Sequence, residues 1–246
     1  MRVFRWLVWG VLALNWPLAV GAADKVAVVS TKFVLERKFQ LMAEAARLQG
    51  LELAWAQVDR DDGGAARRAL AGAKLVIVDA PRTDDQAQIE KAVGKLLREG
   101  RAPVLHVNIM SPPTRYRAEN LAPDQGERLF NYYINGTAAN RQHLFAYLNT
   151  WLAGGDLSQV PEPLALPNGG IYHPDYPQSV FADLPAYLDW WSQQTGKNWQ
   201  NQPVIAMEMS SSYISDGQTR MLDETVQALE KAGGVPLLFY RASRMA

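Results

Sequence analysis

His173 stands in a constrained setting. In Asn168-Gly-Gly-Ile-Tyr-His-Pro-Asp175 a Gly-Gly turn and Tyr172 precede it and Pro174 follows. A neutral imidazole held in this way can ligate a metal or hydrogen-bond a carboxylate. Equally, Tyr172 and His173 can act as hydrogen-bonded wedges that lock a crossing of the chain. Ser210-Ser211-Ser212-Tyr213 follows an apolar run. Small hydroxyl residues at such a place can bind an anion through backbone N–H groups and side chains, or simply turn the chain into the next helix. Arg115 and Arg117 flank Tyr116 in a polar stretch; their guanidinium forks suit carboxylates or face solvent. His106 lies inside Val104-Leu105-His106-Val107, where a strand histidine is more often a satisfied core residue than a ligand. Asn108, two positions on, shares its face and lies nearer the strand end, so it would line any crevice there. His143, one residue before Leu144 on an amphipathic pattern, reads as a surface or interface residue.

Composition excludes several other chemistries. The 246 residues include no cysteine, which removes disulfides, thiolate zinc sites, iron–sulfur clusters and cysteine nucleophiles. Any metal site in the chain would lean on His106, His143, His173 and carboxylates. There is no Gly-x-x-x-x-Gly-Lys-Ser/Thr loop, no Gly-x-Gly-x-x-Gly after the first strand, no Gly-x-Ser-x-Gly elbow and no His-Glu-x-x-His pair. ATP hydrolysis and dinucleotide binding by this chain therefore have no motif behind them. Twenty-five basic residues balance 25 acidic ones, so no general electrostatic drive towards nucleic acid or anionic lipid exists. With 48% hydrophobic and 20% charged residues, a sizeable packed core is expected. Eight Trp and nine Tyr provide broad aromatic surface, for packing or for a flat ligand.

The elements that must position these residues read as α/β. Val26–Ser30 is a continuous apolar run, as in a strand covered on both faces. Phe39, Met42, Ala43 and Ala46 follow at helical spacing, and Gly50 is placed to end that helix. Leu51–Val58 is a second strand, Ala65–Leu70 a short helix, and Leu75–Asp79 a third strand without alternation. Ile89, Val93, Leu96 and Leu97 mark another helix, closed by Gly100; Pro103–Ile109 is a fourth strand. Strands alternating with helices imply a parallel sheet with right-handed crossovers. We expect the flavodoxin/Rossmann-like order 2-1-3-4, with ligands at the carboxyl ends of the strands near Ser30-Thr31-Lys32, Asp79–Arg82 and Asn108–Ser111.

Ser111–Ala122 reads as a polar loop, and Asp124–Ala153 as helical, with Thr137 as a cap and Gly154-Gly155 as a stop. The five prolines between Asp156 and Ser179 make that stretch a crossing segment without regular structure. Asp183 caps a helix carrying Leu184, Leu188 and Trp191, with Pro185 in its first turn. A second α/β unit starts near residue 202. Val204–Met209 reads as a buried strand, Asp216 as the opening of a helix with Leu222, Val226 and Leu229 on one face, and Val235–Tyr240 as a further strand. The domain reading is 24–155 for the first α/β domain with its helical extension, 156–201 for the crossing segment and helix, and 202–246 for the start of an incomplete βαβ unit.

The N-terminus has the pattern of a cleavable export signal. Arg2 and Arg5 precede a short apolar core, Trp6–Leu14, and Pro17 and Gly21-Ala22-Ala23 follow. Residues 1–23 would be removed, giving a periplasmic protein with no stable membrane span.

Taken in order, Asn168–Asp175, the aromatic helix Phe181–Trp191 and the strand at Pro203–Met209 resemble the junction between the first two α/β units of the CobN-type cobaltochelatase large subunit. Magnesium-chelatase large subunits are more distant relatives. The resemblance covers about Asp24 to the end of the chain. It implies successive Rossmann-like units and a tetrapyrrole held during cobalt or magnesium insertion. It also implies two smaller partner subunits, one an AAA+ ATPase that hydrolyses the ATP, and no cofactor within this chain. Tyr172, His173, Asn108, Ser210, Ser211 and Arg115 become the candidate substrate-binding residues, with His173 the candidate metal contact. Arg115 and Arg117 could pair with propionate or acetamide-bearing ring substituents. The family's large C-terminal portion has no counterpart here, so no catalytic residue carries over, and that portion could be a separate chain. The export signal points to a CobN-like branch serving cobalamin-type tetrapyrrole metabolism or envelope uptake. The alternative is a standalone periplasmic binding protein for a tetrapyrrole or metallophore, without catalysis.

Overall fold

The computed structural model describes residues 23–60, 63–110 and 115–241. The export signal falls outside these residues but for Ala23. The chain begins as β1 (Lys25–Ser30), α1 (Glu36–Leu48), β2 (Glu52–Gln57), α2 (Gly64–Leu70), β3 (Leu75–Asp79), α3 (Thr83–Glu99), β4 (Val104–Val107) and β5 (Tyr116–Glu119). The five strands form one sheet in the order β2-β1-β3-β4-β5. β2, β1, β3 and β4 are parallel, as the unbroken apolar runs require. The α/β class and the 2-1-3-4 order therefore hold.

Burial explains why these runs are strands. Val26 and Val28 of β1 join Ile77 and Leu105 in a core under α1, whose Phe39, Met42, Ala45 and Ala46 face the sheet. Ala27 and Val29 join Val76, Val78 and Val104 on the opposite face, under α2 and α3. Each large aliphatic residue so buried contributes roughly 1.5–3 kcal/mol over leaving it in water. Gly50, at φ +73°, supplies the left-handed residue that ends α1.

The segment read as a polar loop instead contains β5, paired antiparallel to β4 with Arg117 opposite His106. Tyr-Arg-Ala-Glu is short and half charged, which suits an edge strand but leaves no hydrophobic pattern to read. The helical stretch after it is two helices, α4 (Pro123–Ile134) and α5 (Ala138–Leu152). Thr137 caps the second, its hydroxyl accepting from the Asn140 N–H at 3.2 Å.

The remaining elements are β6 (Gly170–Tyr172), β7 (Val180–Phe181), α6 (Leu184–Thr195), β8 (Val204–Glu208), α7 (Ser212–Ser215), α8 (Arg220–Lys231) and β9 (Val235–Tyr240). They build a second, four-stranded sheet in the order β7-β6-β9-β8. β8 and β9 are parallel, while β6 runs antiparallel to both of its neighbours. One face, with Tyr172, Leu238 and Tyr240, packs against Leu222 and Val226 of α8. The other, with Ile171, Phe181 and Val235, packs against Tyr187, Leu188 and Trp191 of α6.

Three further expectations are corrected here. The proline-rich stretch 156–179 is not without regular structure, because β6 pairs within it. Asp216 closes α7 rather than opening α8, which starts at Arg220. β8 is not buried: it is the sheet edge, and Val204 and Met207 are each 44% exposed. Its apolar composition reflects strand propensity on a side that no helix among the described residues covers.

Candidate functional site

Strand order reverses between β1 and β3, and this is where an open α/β sheet splays to admit ligands. Here the crevice is filled by protein. The Ser30 hydroxyl leaves the end of β1 and donates to the Asp79 carbonyl at 2.8 Å. Lys38 reaches in from α1, its Nζ 3.1 Å from Asp79 Oδ2 and 3.5 Å from Asp216 Oδ1. The Tyr133 hydroxyl, from α4, donates to the same Asp79 oxygen at 2.7 Å. The ammonium also sits 4.2 Å above the Tyr133 ring. Burial pulls the Lys38 pKa down, but Asp79 and Asp216 outweigh it and hold it above the ordinary value. Burial, then Asp79, push the Tyr133 pKa well up. Lys38 therefore stays charged and Tyr133 protonated near neutral pH. The group is an ionic clasp between the first sheet and the segment leaving β8, not an acid–base pair.

Beside the clasp, the Thr31 hydroxyl donates to Asp85 Oδ1 at 2.7 Å. Arg82 grips Asp85 with Nε and Nη2, both at 2.8 Å. The Arg82 hydrogen bonds hold the Asp85 carboxyl below the usual range, against the opposing effect of its burial. Asp85 Oδ2 also accepts the Arg82 backbone N–H at 3.1 Å, which fixes the start of α3.

With the switch point plugged, the open space lies one strand over. A cavity of about 420 Å³ separates α3 from the ends of β3, β4 and β5. His106, Asn108 and Arg117 form one wall, and Gln86, Ala87 and Glu90 the other. His106 is partly open to it, and its Nε2 lies 3.1 Å from an Arg117 nitrogen. Burial, then the Arg117 charge, lower the His106 pKa, and the same Nε2 lies 3.2 Å from Glu119 Oε1, so the neutral ring sits between a donor and an acceptor. Arg117 also pairs with Glu119. The Asn108 N–H donates to the Arg115 carbonyl at 2.9 Å, which brings Arg115 next to this wall, with its side chain exposed.

Tyr172 and His173 lie in the second unit, both buried. The Tyr172 hydroxyl donates to Asp223 of α8. Burial first, then that carboxylate, raise its pKa far above the ordinary tyrosine value. His173 Nδ1 accepts the Asp175 N–H at 3.2 Å, and Nε2 lies 3.3 Å from Glu230 Oε1. Trp191 Nε1 donates to the same Glu230 oxygen at 2.8 Å. Trp190 meets the imidazole edge-on at 4.7 Å. Both ring nitrogens are thus engaged, and a metal would have to displace one of these bonds. Among the described residues no group of three or more His, Asp and Glu could hold a metal ion. Ser210 and Ser211 are exposed beyond β8. The Ser210 and Ser212 hydroxyls lie 2.8 Å apart, and Ser211 precedes the single turn of α7.

The structure thus joins Asn108 with Arg115 and Arg117, and Tyr172 with His173, but does not gather the candidates into one site. It adds Lys38, Asp85, Tyr133 and Asp216. One of these left a trace in the sequence: Lys38 shares the buried stripe of α1 with Met42 and Ala45, and a lone lysine on an apolar stripe calls for a buried partner.

Two comparisons bear on family and fold. Residues 130–246 match the family model described as CobN/Magnesium Chelatase. Among solved structures, the chain is similar to the "Catalytic Subunit of Cobaltochelatase from Mycobacterium tuberculosis". The TM-score is 0.55 and the identity 21%, over 91% of this chain and 16% of that one. That likeness is one of fold. No curated protein matches the chain in sequence. The stretch Asn168–Trp191 lies inside the matched span, so the resemblance read from it holds.

Proposed function

We propose, on the premise that residues 130–246 belong to the CobN/magnesium chelatase family, that this chain is the N-terminal portion of a CobN-like chelatase large subunit. In this reading it helps to bind a tetrapyrrole for cobalt or magnesium insertion. The observation that carries the reading is the family match across the α4–β9 region. Its support is a fold that extends the likeness to a cobaltochelatase catalytic subunit over 91% of this chain. The chain spans 16% of that subunit's length; substrate, metal and partners belong to the proposal.

The candidate binding residues divide by burial. Asn108, Arg115, Ser210 and Ser211 lie at the carboxyl ends of β4 and β8 or in the loops beyond them, where a ring's polar substituents could reach them. Tyr172 and His173 hold β6 to α8 and position the second unit. A ring the size of a tetrapyrrole would lie over one of these ends rather than enter the 420 Å³ cavity. In this reading ATP is hydrolysed by a partner of the AAA+ type, and cobalt or magnesium is cargo. The leader directs the protein to the periplasm, in the service of tetrapyrrole metabolism or uptake.

The test is a titration with a porphyrin and with a corrinoid, followed by tryptophan emission and by absorbance of the ring. Saturable quenching with a shifted absorbance band is expected, weakened by Arg115→Ala or by the Ser210→Ala, Ser211→Ala double variant, according to the end the ring covers. No spectral change with either ring overturns the reading. Immunoblots of periplasmic and cytoplasmic fractions test the location: a product confined to the cytoplasm removes the export part.

A further inference from the structure

We propose that the carboxyl end of the first sheet is an apolar platform with a cation on either side, and that it binds the face of a flat ring bearing carboxylates. This rests on the tetrapyrrole reading above and decides which of the two sheet ends holds the ring.

The platform is built from loops that meet over the plugged switch point. Phe33 and Leu35 lie on the β1–α1 loop, and Ile109 and Met110 follow β4; all four are exposed. Two contacts draw them together. The Phe33 ring stacks on the Arg82 guanidinium at 3.8 Å, and the Met110 N–H donates to the carbonyl of the preceding Pro81 at 3.1 Å. The β3–α3 turn thus joins the two apolar pairs. Exposed apolar side chains scattered singly mean little, but a group of them marks a surface that something covers. Lys38 closes the crevice beneath, so an occupant has to lie flat on this end rather than enter it.

Charge fixes the kind of occupant. Lys32 precedes Phe33, and its backbone N–H donates to Asp59 at 2.8 Å, which sets it on the β2 side. Arg115 stands on the other side, just before β5. Both side chains are exposed, and neither has an ion-pair partner among the described residues. Of the carboxylates at this end, Asp85 is held by Arg82, Glu36 by Arg60 and Asp59 by the Lys32 N–H. Asp84 sits in the first turn of α3, where its charge answers the helix dipole. Lys32 leaves β1 and Arg115 enters β5, three strand spacings apart in the sheet, roughly 14 Å. That is the span of a macrocycle with carboxylate arms, and too wide for one small anion. Beyond β8, by contrast, Arg241 is gripped by Glu208 through hydrogen bonds of 3.0 and 2.8 Å, and the Ser210 and Ser212 hydroxyls bond each other. A carboxylate finds less there.

The probes are a porphyrin with four carboxylates and one of the same core with four pyridinium cations. Each is titrated into the whole protein and read by ring absorbance and tryptophan emission. The carboxylate ring should bind about tenfold more tightly than the cationic one, or better. Met110→Asp and Leu35→Asp place a charge in the platform from exposed positions, and each should weaken the carboxylate ring about tenfold. Leu35 is the N-cap of α1, where Asp is favoured, so the fold is kept. Lys32→Glu should weaken the carboxylate ring several-fold. Leu48→Asp alters an exposed leucine at the far end of α1 and should leave binding unchanged. Binding of neither ring overturns the tetrapyrrole reading and this inference with it. Binding that survives Met110→Asp and Leu35→Asp, falls equally in Leu48→Asp, or is as tight for the cationic ring overturns the platform alone and leaves the ring to the end of β8.

Discussion

The two sheets are built to different standards of enclosure. In the first, β1 and β3 are buried at every position but Lys25, with helices over both faces. In the second, β9 is enclosed between β6 and β8, yet β8 is mostly exposed. The first sheet is held by aliphatic packing, and buried charge gathers at the ends of its strands, in the Lys38 clasp and in Asp85 under Arg82. The second is held by aromatic rings and by polar ties between them, with Tyr172 on Asp223 and both His173 and Trp191 on Glu230. A unit that relies on few, specific polar ties should be the more sensitive to single-atom changes. A unit that relies on packing should respond most where the ion pair buried on both sides, Lys38–Asp79, is broken.

That contrast can be pressed in four ways. Lys38→Ala leaves Asp79 buried without its counter-charge and frees Asp216, and should cost about 3–5 kcal/mol. Urea unfolding read by far-UV dichroism and by tryptophan emission should show midpoints that coincide in the wild type and part in the variant. A loss under 0.5 kcal/mol would mean that the clasp joins nothing. Tyr172→Phe removes one hydroxyl and should cost about 1–2 kcal/mol, registered at the indole N–H resonances of Trp190 and Trp191 in α6 and hardly at that of Trp55 in β2.

The pH profile separates the units by residue. Burial, then Asp79, raise the Tyr133 pKa, and Asp79 and Asp216 keep Lys38 raised against burial. Burial pushes Tyr240 up to about 12. Each group is protonated more tightly when folded. Its stabilisation is therefore complete below its ordinary value and is lost as pH climbs through the folded one. Stability should fall above about pH 10, with Tyr133→Phe flattening the decline in the first unit and Tyr240→Phe in the second. A decline unchanged in both would remove these groups as its cause. Smallest of all, Met207→Lys on the exposed edge of β8 should stay within about 0.5 kcal/mol of wild type; a larger loss by urea unfolding would show that this strand is covered.

Much of the first sheet was legible because its strands are wholly apolar and its helices carry clear stripes. Val26–Ser30 and Leu75–Asp79 leave little room for another reading. The short strands β5, β6 and β7 were not legible, since two to four residues are fewer than a period needs and prolines surround β6. β8 was misread for a related reason: Val204–Met207 is as apolar as β1, and composition does not tell an edge from a centre. Of the candidate site, Asn108 was correctly set at a strand end beside His106. The clasp was out of reach because Lys38, Asp79, Tyr133 and Asp216 are far apart in sequence, and only packing of α4 and α7 on the sheet brings them within bonding distance. Gly136 and Gly217 are the local marks of that packing. A side chain on the first would strike the Ser215 carbonyl, and on the second, which has φ +68°, the Leu41 side chain.

The position of β9 has a consequence in time. In the first sheet, each crossover among β1, β2, β3 and β4 holds a single helix, so pairing can advance as the chain lengthens. In the second, β6 and β7 appear early but have no further neighbour until β9 arrives, after α6, β8, α7 and α8. A nascent chain would hold Ile171, Phe181 and the α6 aromatics unsheltered until β9 is made. The second sheet would then close in one late step, slowed by the long loop it has to tie. In a refolding experiment the Trp191 signal should trail the far-UV signal.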